Sequence, residues 1–211
     1  MKLIVFGGTG GTGRQVVVQA LEEGHEVAVV VRRPETFELR HDKLKVVKGD
    51  VLMPATFRQA MSGMDAVLSA LGVSHRNPTT VYSAGTANLM EVMQETGVPR
   101  LVCLSSAGLD DPADSPLLQR LVIRFVIQRM YKHAYEDMVR MEAAVRASSG
   151  ITWTVVRPPR LTNGPRTEAY RTAVNKPLLR AKGISRADLA NFMIQSIADR
   201  STYQAVVEIS D

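Results

Sequence analysis

The feature that most constrains the fold is a glycine-rich turn near the amino terminus, Gly7 to Gly13, which reads GGTGGTG. It follows an apolar run, Lys2–Phe6, and precedes a helical pattern, Arg14–Glu23. A strand, a glycine turn and a helix in this order are the context in which such a motif becomes specific. Gly7 then permits a tight turn, Gly10 lets the backbone approach a pyrophosphate, and Gly13 lets the helix pack against the strand.

The turn fits two spacings, GxxGxxG starting at Gly7 and GxGxxG starting at Gly8, and both indicate dinucleotide binding. The helix that follows presents free N–H groups and a partial positive charge to phosphates. A glycine-rich turn without a ligand is the alternative. We predict cofactor contacts from every residue of the turn: Gly7, Gly8, Thr9, Gly10, Gly11, Thr12 and Gly13.

The next apolar run, Glu26–Val31, ends in Arg32 and Arg33, and Arg32 lies 19 residues after Gly13. In dinucleotide folds a carboxylate at this point accepts from the ribose 2′-OH of NAD, whereas an arginine meets a 2′-phosphate. The pair therefore predicts NADPH rather than NADH as the cofactor. Two solvated arginines after a strand are the alternative.

Two further strands end in residues that suit the same crevice. The run Leu44–Lys48 leads to Asp50, which can accept from an adenine amino group, cap a helix that begins near Pro54, or do both. The run Asp65–Ala70 leads to Gly72, whose missing Cβ leaves room for a cofactor. The predicted cofactor contacts therefore also include Asp50, Val51, Leu71, Gly72 and Pro158.

The remaining patterns continue the alternation of strands and helices. Six strands alternating with helices predict a doubly wound parallel sheet, the Rossmann fold, in a single domain 1–211. We assign 1–150 to the cofactor-binding core and 151–211 to the substrate side. The predicted elements are a helix from Pro78 to Thr96, strands Arg100–Leu104 and Thr152–Val156, a helix Ala134–Ser148, a helix starting with a capping box at Ser185, and a last strand Gln204–Ile209.

The net charge of +5 is unevenly distributed. Residues 157–186 carry eight arginines and lysines against one acidic residue, whereas the rest of the chain carries 18 basic and 20 acidic residues. This basic segment suits an anionic small molecule, but it is equally compatible with a solvated loop. Only Trp153 and Tyr170 lie near it, so it lacks the interleaved aromatic residues of a nucleic-acid-binding surface, and we expect no nucleic acid partner.

The single cysteine, Cys103, lies in an apolar strand pattern and is predicted to be a small core residue. No intramolecular disulfide is possible, the start of the chain does not resemble a signal peptide, and we expect a cytoplasmic protein. No apolar run is long enough to span a bilayer, and the isolated histidines predict no metal site. The apolar helix predicted at 117–131 favours core packing, a protein partner or a homodimer, with a membrane-facing or lid role as the alternative.

These motifs resemble the atypical short-chain dehydrogenase/reductase family. The resemblance rests on the glycine turn, the arginine pair, Gly49-Asp50-Val51, Leu71-Gly72 and Arg157-Pro158-Pro159. Within that family the chain is similar to the NmrA-like NAD(P)H-binding proteins and to the biliverdin and flavin reductases. The resemblance implies that Ser106 lies beside the nicotinamide, where it positions the ring or relays a proton, with Ser105 sharing the task. Serines that merely end a strand are the alternative.

Most members of this superfamily use a tyrosine with a lysine four positions later, which lowers the pKa of the tyrosine. None of the five tyrosines of this chain has a lysine at that spacing. Hydride transfer then needs an acceptor that is itself an electron sink, such as FMN, FAD, a quinone or a bilin. A histidine follows the paired prolines in biliverdin reductases, whereas here Arg160 does, and we predict that Arg160 binds a phosphate or propionate of the acceptor.

The sequence therefore leaves two functions open. One is an NADPH-dependent reductase of a planar conjugated acceptor. The other is an NADPH-sensing regulatory protein without significant turnover, which the NmrA-like resemblance implies.

Overall fold

The computed structural model describes residues 1–109, 129 and 131–211. The strands within these residues are β1 (Lys2–Phe6), β2 (Glu26–Val31), β3 (Leu44–Lys48), β4 (Ala66–Ser69), β5 (Arg100–Leu104), β6 (Thr152–Arg157), β7 (Leu161–Thr162), β8 (Arg171–Val174), β9 (Ile184–Ser185) and β10 (Ala205–Ser210). Eight of them form one sheet in the order β3-β2-β1-β4-β5-β6-β10-β8. Neighbours run parallel except for β8, which is antiparallel to β10, and β7 pairs separately with β9.

The helices within the described residues flank both faces of this sheet. They are α1 (Gly11–Glu22), α2 (Arg58–Met61), α3 (Ser83–Thr96), α4 (Lys132–Ala147) and α5 (Arg186–Gln195), with short 3-10 turns at Pro34–Thr36, Pro54–Thr56, Ala107–Leu109 and Arg200–Thr202. Among the described residues, no helix combines the length and apolar character needed to cross a bilayer.

The strand order reverses beside β1. The chain first places β2 and β3 on one side of β1, and then returns to place β4, β5 and β6 on the other side. In such sheets ligands bind beyond the carboxyl ends of the strands at the point of reversal. Here that point lies between β1 and β4, where Phe6 pairs with Ser69 and the glycine turn begins.

The sheet is buried on both faces, which explains why its strands read as continuous apolar runs. Along β1, Leu3 and Val5 pack into a cluster with α1 and α5. The alternate residues Ile4 and Phe6 pack into a second cluster with α3 and α4. The end of β1 is therefore held from both sides, and the turn that follows it starts from a rigid position.

The predicted doubly wound α/β sheet is confirmed in its order and direction. Residues after 150 contribute β6, β10 and β8 to the same sheet. The sequence pattern does not reveal β8, an edge strand whose first two residues are exposed, because β10, its partner within the described residues, lies more than thirty residues further along the chain. The helix predicted at 117–131 lies almost entirely outside the described residues.

Two predicted helix starts are wrong. The sequence predicts a helix from Pro78, whereas α3 begins at Ser83. The carboxylate of Asp137, on α4, accepts from the backbone N–H groups of Tyr82 and Ser83 at 2.9 and 3.3 Å, so the helix is capped by a distant residue. The helix predicted near Pro54 is a 3-10 turn followed by the single turn of α2.

Candidate dinucleotide-binding cleft

The glycine turn has a shape that side chains would prevent. Gly7 has a φ of +79°, and a Cβ on it would lie 2.2 Å from the carbonyl oxygen of Ala70. A Cβ on Gly13 would lie 2.2 Å from the carbonyl oxygen of Gly7. Both contacts are with backbone, which cannot move aside, so these two glycines allow β1, the turn and α1 to pack together.

Gly10 differs from these two glycines because it faces open space. The nearest atom to a Cβ on Gly10 would be the Gly7 carbonyl oxygen at 3.4 Å, which is an ordinary contact. Gly10 is the N-cap of α1 and supplies no side-chain cap, and the first turn of the helix has no acidic residue. The first N–H groups of α1 therefore lack an intrahelical partner and present a positive end to the cleft.

Beyond the turn lies a cleft of about 900 Å³, bounded by the ends of β1, β2, β4 and β5. Most of the predicted site residues line it, namely Gly7, Thr9, Gly10, Gly11, Thr12, Gly13, Arg32, Asp50, Val51, Leu71, Gly72, Ser105, Ser106 and Pro158. Gly8, Arg33 and Arg160 are not among the lining residues. The cleft thus brings together segments from the whole length of the described chain.

The structure gives Gly8 a packing role. A Cβ on Gly8 would lie 2.3 Å from Cγ2 of Val29, so this buried glycine lets the turn pack against β2. The two arginines after β2 also separate. Arg32 is exposed and lines the cleft, and it forms no salt bridge within the described residues, whereas Arg33 is the N-cap of the 3-10 turn at Pro34 and is not among the lining residues. Of the predicted pair, Arg32 alone lines the cleft.

Asp50 stabilises a turn rather than a helix. Its Oδ1 accepts from the N–H of Leu52 at 2.9 Å, and its own N–H donates to Thr56 Oγ1 at 3.0 Å. The residue at the start of the 3-10 turn is Met53, so the helix-capping alternative is wrong. Asp50 lies half-buried in the wall of the cleft, and its possible contact with adenine stays a prediction.

The loop that starts at Leu71 is held by a tyrosine. The Tyr82 hydroxyl accepts from the N–H of Val73 at 3.3 Å. Burial raises the pKa of the Tyr82 phenol, although this hydrogen bond opposes the change, so the hydroxyl is neutral at physiological pH. A Cβ on Gly72 would meet nothing within 4 Å, so the protein's own packing does not require glycine there.

The two serines after β5 have different environments. Ser105 is 5% exposed, and its Oγ has no hydrogen-bond partner among the described residues, although it lines the cleft. A buried hydroxyl without a partner is costly, which favours a ligand as the missing partner. The Oγ of Ser106 accepts from the N–H of Gly108 at 3.1 Å, and its own hydrogen remains available to donate.

Tyr135, on α4, also lines the cleft, and the sequence analysis did not select it. A Cβ on Gly108 would lie 2.6 Å from the Tyr135 hydroxyl and 3.4 Å from Ser106 Oγ, so glycine at 108 lets both hydroxyls approach one place. The tyrosine–lysine motif requires a lysine four residues after the tyrosine. The residue four positions after Tyr135 is Val139, which is 54% exposed, so the motif does not mark Tyr135. Only the packing of α4 against the end of β5 could have identified this tyrosine.

The loop that contains the paired prolines is fixed by an ion pair at its start and by a backbone hydrogen bond. Arg157 donates to both carboxylate oxygens of the buried Glu142, at 2.8 and 2.7 Å. The carbonyl of Pro158 accepts from the N–H of Ala107 at 3.0 Å, which joins this loop to the serine loop. Arg160, in contrast, is exposed outside the cleft, and its carbonyl accepts from the N–H of Ile184. The structure therefore does not place Arg160 with the other site residues.

Several arginines of the basic segment make internal contacts. Arg171 donates to the carbonyls of Leu179 and Asp211, and Arg166 pairs with Glu168 at 2.8 Å. The segment contributes one arginine to the cleft lining, Arg186, the first residue of α5. The sequence analysis counted Arg186 only as part of the segment's charge, because its position depends on how α5 packs against α1.

The substrate side is also anchored by a carboxylate. Asp188 accepts from the N–H groups of Thr167 and Glu168, both at 2.7 Å, and from the hydroxyl of Ser185 at 2.9 Å. Burial by itself raises the pKa of Asp188, but these hydrogen bonds to the charged form outweigh burial, and the pKa falls below its ordinary value of 3.8. The predicted capping box is confirmed, since Ser185 accepts from the N–H of Asp188.

Cys103 lies in the sheet and is completely buried. Burial raises the pKa of its thiol to about 12, so the thiolate is scarce at neutral pH. The prediction of a small core residue is confirmed by this placement.

The fold and the cleft define a protein that binds a nicotinamide dinucleotide. The chain belongs to the NAD(P)H-binding family, whose model matches residues 7–200. A reductase from Streptomyces griseus, which acts on (4-alkanoyl-5-oxo-2,5-dihydrofuran-3-yl)methyl phosphate, is 29% identical over 186 residues, which cover 88% of this chain and 54% of that protein. The chain spans less than two-fifths of the length of several other curated relatives it matches.

Solved structures share the fold over the whole chain. A wide-type short-chain dehydrogenase/reductase from Veillonella parvula in complex with NADP superposes with a TM-score of 0.81 at 16% identity, and the match covers 100% of this chain and 94% of that one. A candidate NADH-flavin reductase from Streptococcus pneumoniae gives a TM-score of 0.79 at 21% identity, covering 100% and 99% of the two chains. At these identities the likeness shows the fold.

Proposed function

We propose that this protein is an NADPH-dependent reductase that transfers hydride to a planar conjugated acceptor such as a flavin or biliverdin. The observation that carries the proposal is the convergence of three features in one cleft: the open helix start at Gly10, the cation Arg32, and the buried Ser105 hydroxyl, which has no hydrogen-bond partner among the described residues. A dinucleotide with a 2′-phosphate supplies the groups that each of these features lacks.

The residues fit such a cofactor. Gly10 leaves space where a side chain would stand, and the free N–H groups of α1 suit a diphosphate. Arg32 occupies the position where a carboxylate would favour NAD, and its guanidinium suits a 2′-phosphate instead. We therefore propose NADPH over NADH. When bound, the cofactor supplies a hydride, and the protein supplies the binding and orientation.

The chain's own residues suggest how the acceptor side works. Ser105 and Ser106 lie at the end of β5, where their hydroxyls can fix a nicotinamide ring or the acceptor edge. Tyr135 is placed to donate a proton to an acceptor atom beside Ser106. Because no lysine lies four residues after it, we propose an acceptor that delocalises charge and needs little help from a strong acid.

The acceptor space adjoins the apolar side chains of Met138, Pro159 and Leu161, which suits a flat ring system. Two similar proteins support this class of acceptor, namely the Streptomyces griseus reductase of a dihydrofuranyl methyl phosphate and the candidate NADH-flavin reductase of Streptococcus pneumoniae. We propose a cytoplasmic setting, which the single buried Cys103 supports.

The test is the oxidation of NADPH, followed through the near-ultraviolet absorbance of reduced nicotinamide, with FMN, FAD and biliverdin as separate acceptors. We expect at least one acceptor to be reduced faster with protein than without it. The matched control is the Gly10→Ala variant, which keeps the fold but fills the cradle. Rates equal to the uncatalysed rates for every acceptor, with NADPH demonstrably bound, would refute turnover.

That outcome would favour a second function, an NADPH-sensing regulatory protein. The observation in its favour is that Tyr131, the N-cap of α4, and Val139 on α4 are 45% and 54% exposed, four residues before and four residues after Tyr135 of the cleft lining. An exposed apolar pair beside the cleft suits a protein contact that cofactor binding controls. The distinguishing result is tight NADPH binding together with no single-turnover oxidation by any of the three acceptors.

A further inference from the structure

Arg186 connects the two halves of the cleft. It is the first residue of α5, and Ser185 caps that helix by accepting from the N–H of Asp188 at 2.9 Å. The Cδ and Nε atoms of Arg186 lie 2.7 and 2.9 Å from the position a Cβ on Gly11 would take. Because Gly11 begins α1, the arginine side chain crosses the first turn of the helix that faces the cleft.

The charge of Arg186 has only neutral partners. Its Nη1 donates to the Thr162 carbonyl at 3.2 Å and to Asn163 Oδ1 at 2.7 Å. It forms no salt bridge in the part of the chain that the structure describes, and the first turn of α1 has no acidic residue. A half-buried cation beside the positive end of a helix is favourable only when an anion joins them.

The segment 162–168 is attached to the first turn of α5 at both of its ends. Arg186 holds Thr162 and Asn163, and Asp188 holds the N–H groups of Thr167 and Glu168. Anything that fixes Arg186 therefore also restrains this segment, which directly follows Leu161 of the cleft lining.

We infer that Arg186 binds the diphosphate of the coenzyme through its remaining donors, Nε and Nη2, while Nη1 holds residues 162 and 163. Coenzyme binding then restrains the segment 162–168, because Arg186 holds its first two residues. The inference rests on the proposed function, since it requires a dinucleotide in the cleft.

The first experiment separates the diphosphate from the 2′-phosphate. NADPH and NADH are titrated by calorimetry into the wild type, Arg186→Gln, Arg32→Gln and Lys182→Gln. We expect Arg186→Gln to weaken the binding of both nucleotides by the same factor, about tenfold, because both carry the diphosphate. We expect Arg32→Gln to weaken the binding of NADPH and to leave the binding of NADH unchanged. Lys182→Gln removes an exposed charge of the same basic segment outside the cleft and changes neither affinity.

The second experiment measures the coupling. Hydrogen exchange of the segment 162–168 is compared with and without saturating NADPH. We expect NADPH to slow exchange there in the wild type and not in Arg186→Gln. In Arg186→Lys the ammonium still meets the diphosphate but lacks the planar fork that reaches Thr162 and Asn163 at once, so affinity falls less than in Arg186→Gln while the protection is lost.

The outcomes distinguish this inference from the function on which it rests. If the wild type binds neither nucleotide, the proposed function fails. If the wild type binds and Arg186→Gln binds both equally well, the role of Arg186 is overturned and the proposed function stands. A selective loss of NADPH in Arg186→Gln would mean that Arg186 contacts the 2′-phosphate, which also overturns the inference. Arg186→Lys answers the same questions if Arg186→Gln does not fold.

Discussion

The two sides of the cleft are built by different means. On the nucleotide side, the shape comes from backbone, and Gly7 and Gly13 are required because a Cβ on either would meet a carbonyl oxygen at 2.2 Å. On the acceptor side, the shape comes from charged side chains, Asp188 and Arg186, that bind loop atoms about twenty residues away. The first side is a rigid cradle, whereas the second depends on a few polar contacts that ligands or pH can alter.

The largest expected effect separates two glycines of the cradle. We expect Gly13→Ala to lower the free energy of unfolding by about 3 kcal/mol or more, because the added Cβ would overlap the Gly7 carbonyl. Gly10→Ala, three residues earlier, should cost about 1 kcal/mol or less, since its Cβ meets no atom closer than 3.4 Å. Urea denaturation measures both values.

NADPH affinity completes this comparison. Gly10→Ala should remain folded and yet bind NADPH at least about tenfold more weakly, because the methyl group occupies the space left for phosphates. Equal stability losses in the two variants, or unchanged affinity in Gly10→Ala, would contradict the separate roles of these glycines.

Asp188→Asn should destabilise the acceptor side of the cleft more than any other substitution proposed there. The amide cannot accept from all the donors that the carboxylate satisfies, so we expect a loss of about 2 kcal/mol and faster hydrogen exchange at 163–168. The control is Asp199→Asn. Asp199 is the exposed N-cap of the 3-10 turn Arg200–Thr202, and asparagine caps equally well, so we expect a loss of free energy of unfolding of about 0.5 kcal/mol or less. Similar losses in both variants would count against the anchoring role of Asp188.

The same anchor predicts an acid sensitivity. Because the pKa of Asp188 is lower in the folded protein than its ordinary 3.8, its stabilising contribution is complete above that value and is lost as the pH falls through the lower folded pKa. Exchange at 163–168 should therefore rise in strongly acidic buffer before the cradle at residues 7–13 opens. A cradle that opens first would reverse the comparison between the two sides.

A smaller effect distinguishes the two arginines after β2. Arg32→Gln should weaken the binding of NADPH about tenfold and leave the binding of NADH unchanged. Arg32 lines the cleft and has no salt-bridge partner in the described chain, so its charge is available for the 2′-phosphate. Arg33→Gln is the matched control, one residue away and outside the cleft lining. Fluorescence titration of reduced nicotinamide measures both, and a larger effect at Arg33 would reject the assignment.

The smallest effect concerns proton delivery. If the acceptor takes hydride as an electron sink, Tyr135→Phe and Ser106→Ala should each lower kcat by only about tenfold or less, well below the loss usual for an essential general acid. The kcat of each variant is measured with the best flavin acceptor at saturating NADPH. A loss of a thousandfold or more in Tyr135→Phe would show that the acceptor requires an acid.

The difference between the two sides also explains what could be predicted from the sequence. Gly7, Gly10, Gly13 and Arg32 lie close together along the chain or at strand ends, so local patterns sufficed to predict that they share one cleft. The sequence could not predict that Gly8 lies outside the cleft lining, because this placement follows from the position of the Val29 side chain on β2.

Residues of the acceptor side depend on long-range packing. Arg186 and Tyr135 reach the cleft because α5 packs on α1 and α4 packs at the end of β5, and neither contact leaves a signal in the local sequence. Arg160 follows the paired prolines, but it is exposed and does not line the cleft, although its neighbours Pro159 and Leu161 do. Its predicted contact with the acceptor is therefore not supported by its position.

The central claim is that the turn at residues 7–13, together with Arg32, binds a phosphorylated nicotinamide dinucleotide. The most direct test is calorimetric titration of the wild-type protein with NADPH and then NADH. We predict one saturable site for NADPH with an affinity at least about tenfold above that for NADH. No heat with either nucleotide, at protein concentrations that would detect micromolar binding, would contradict the account.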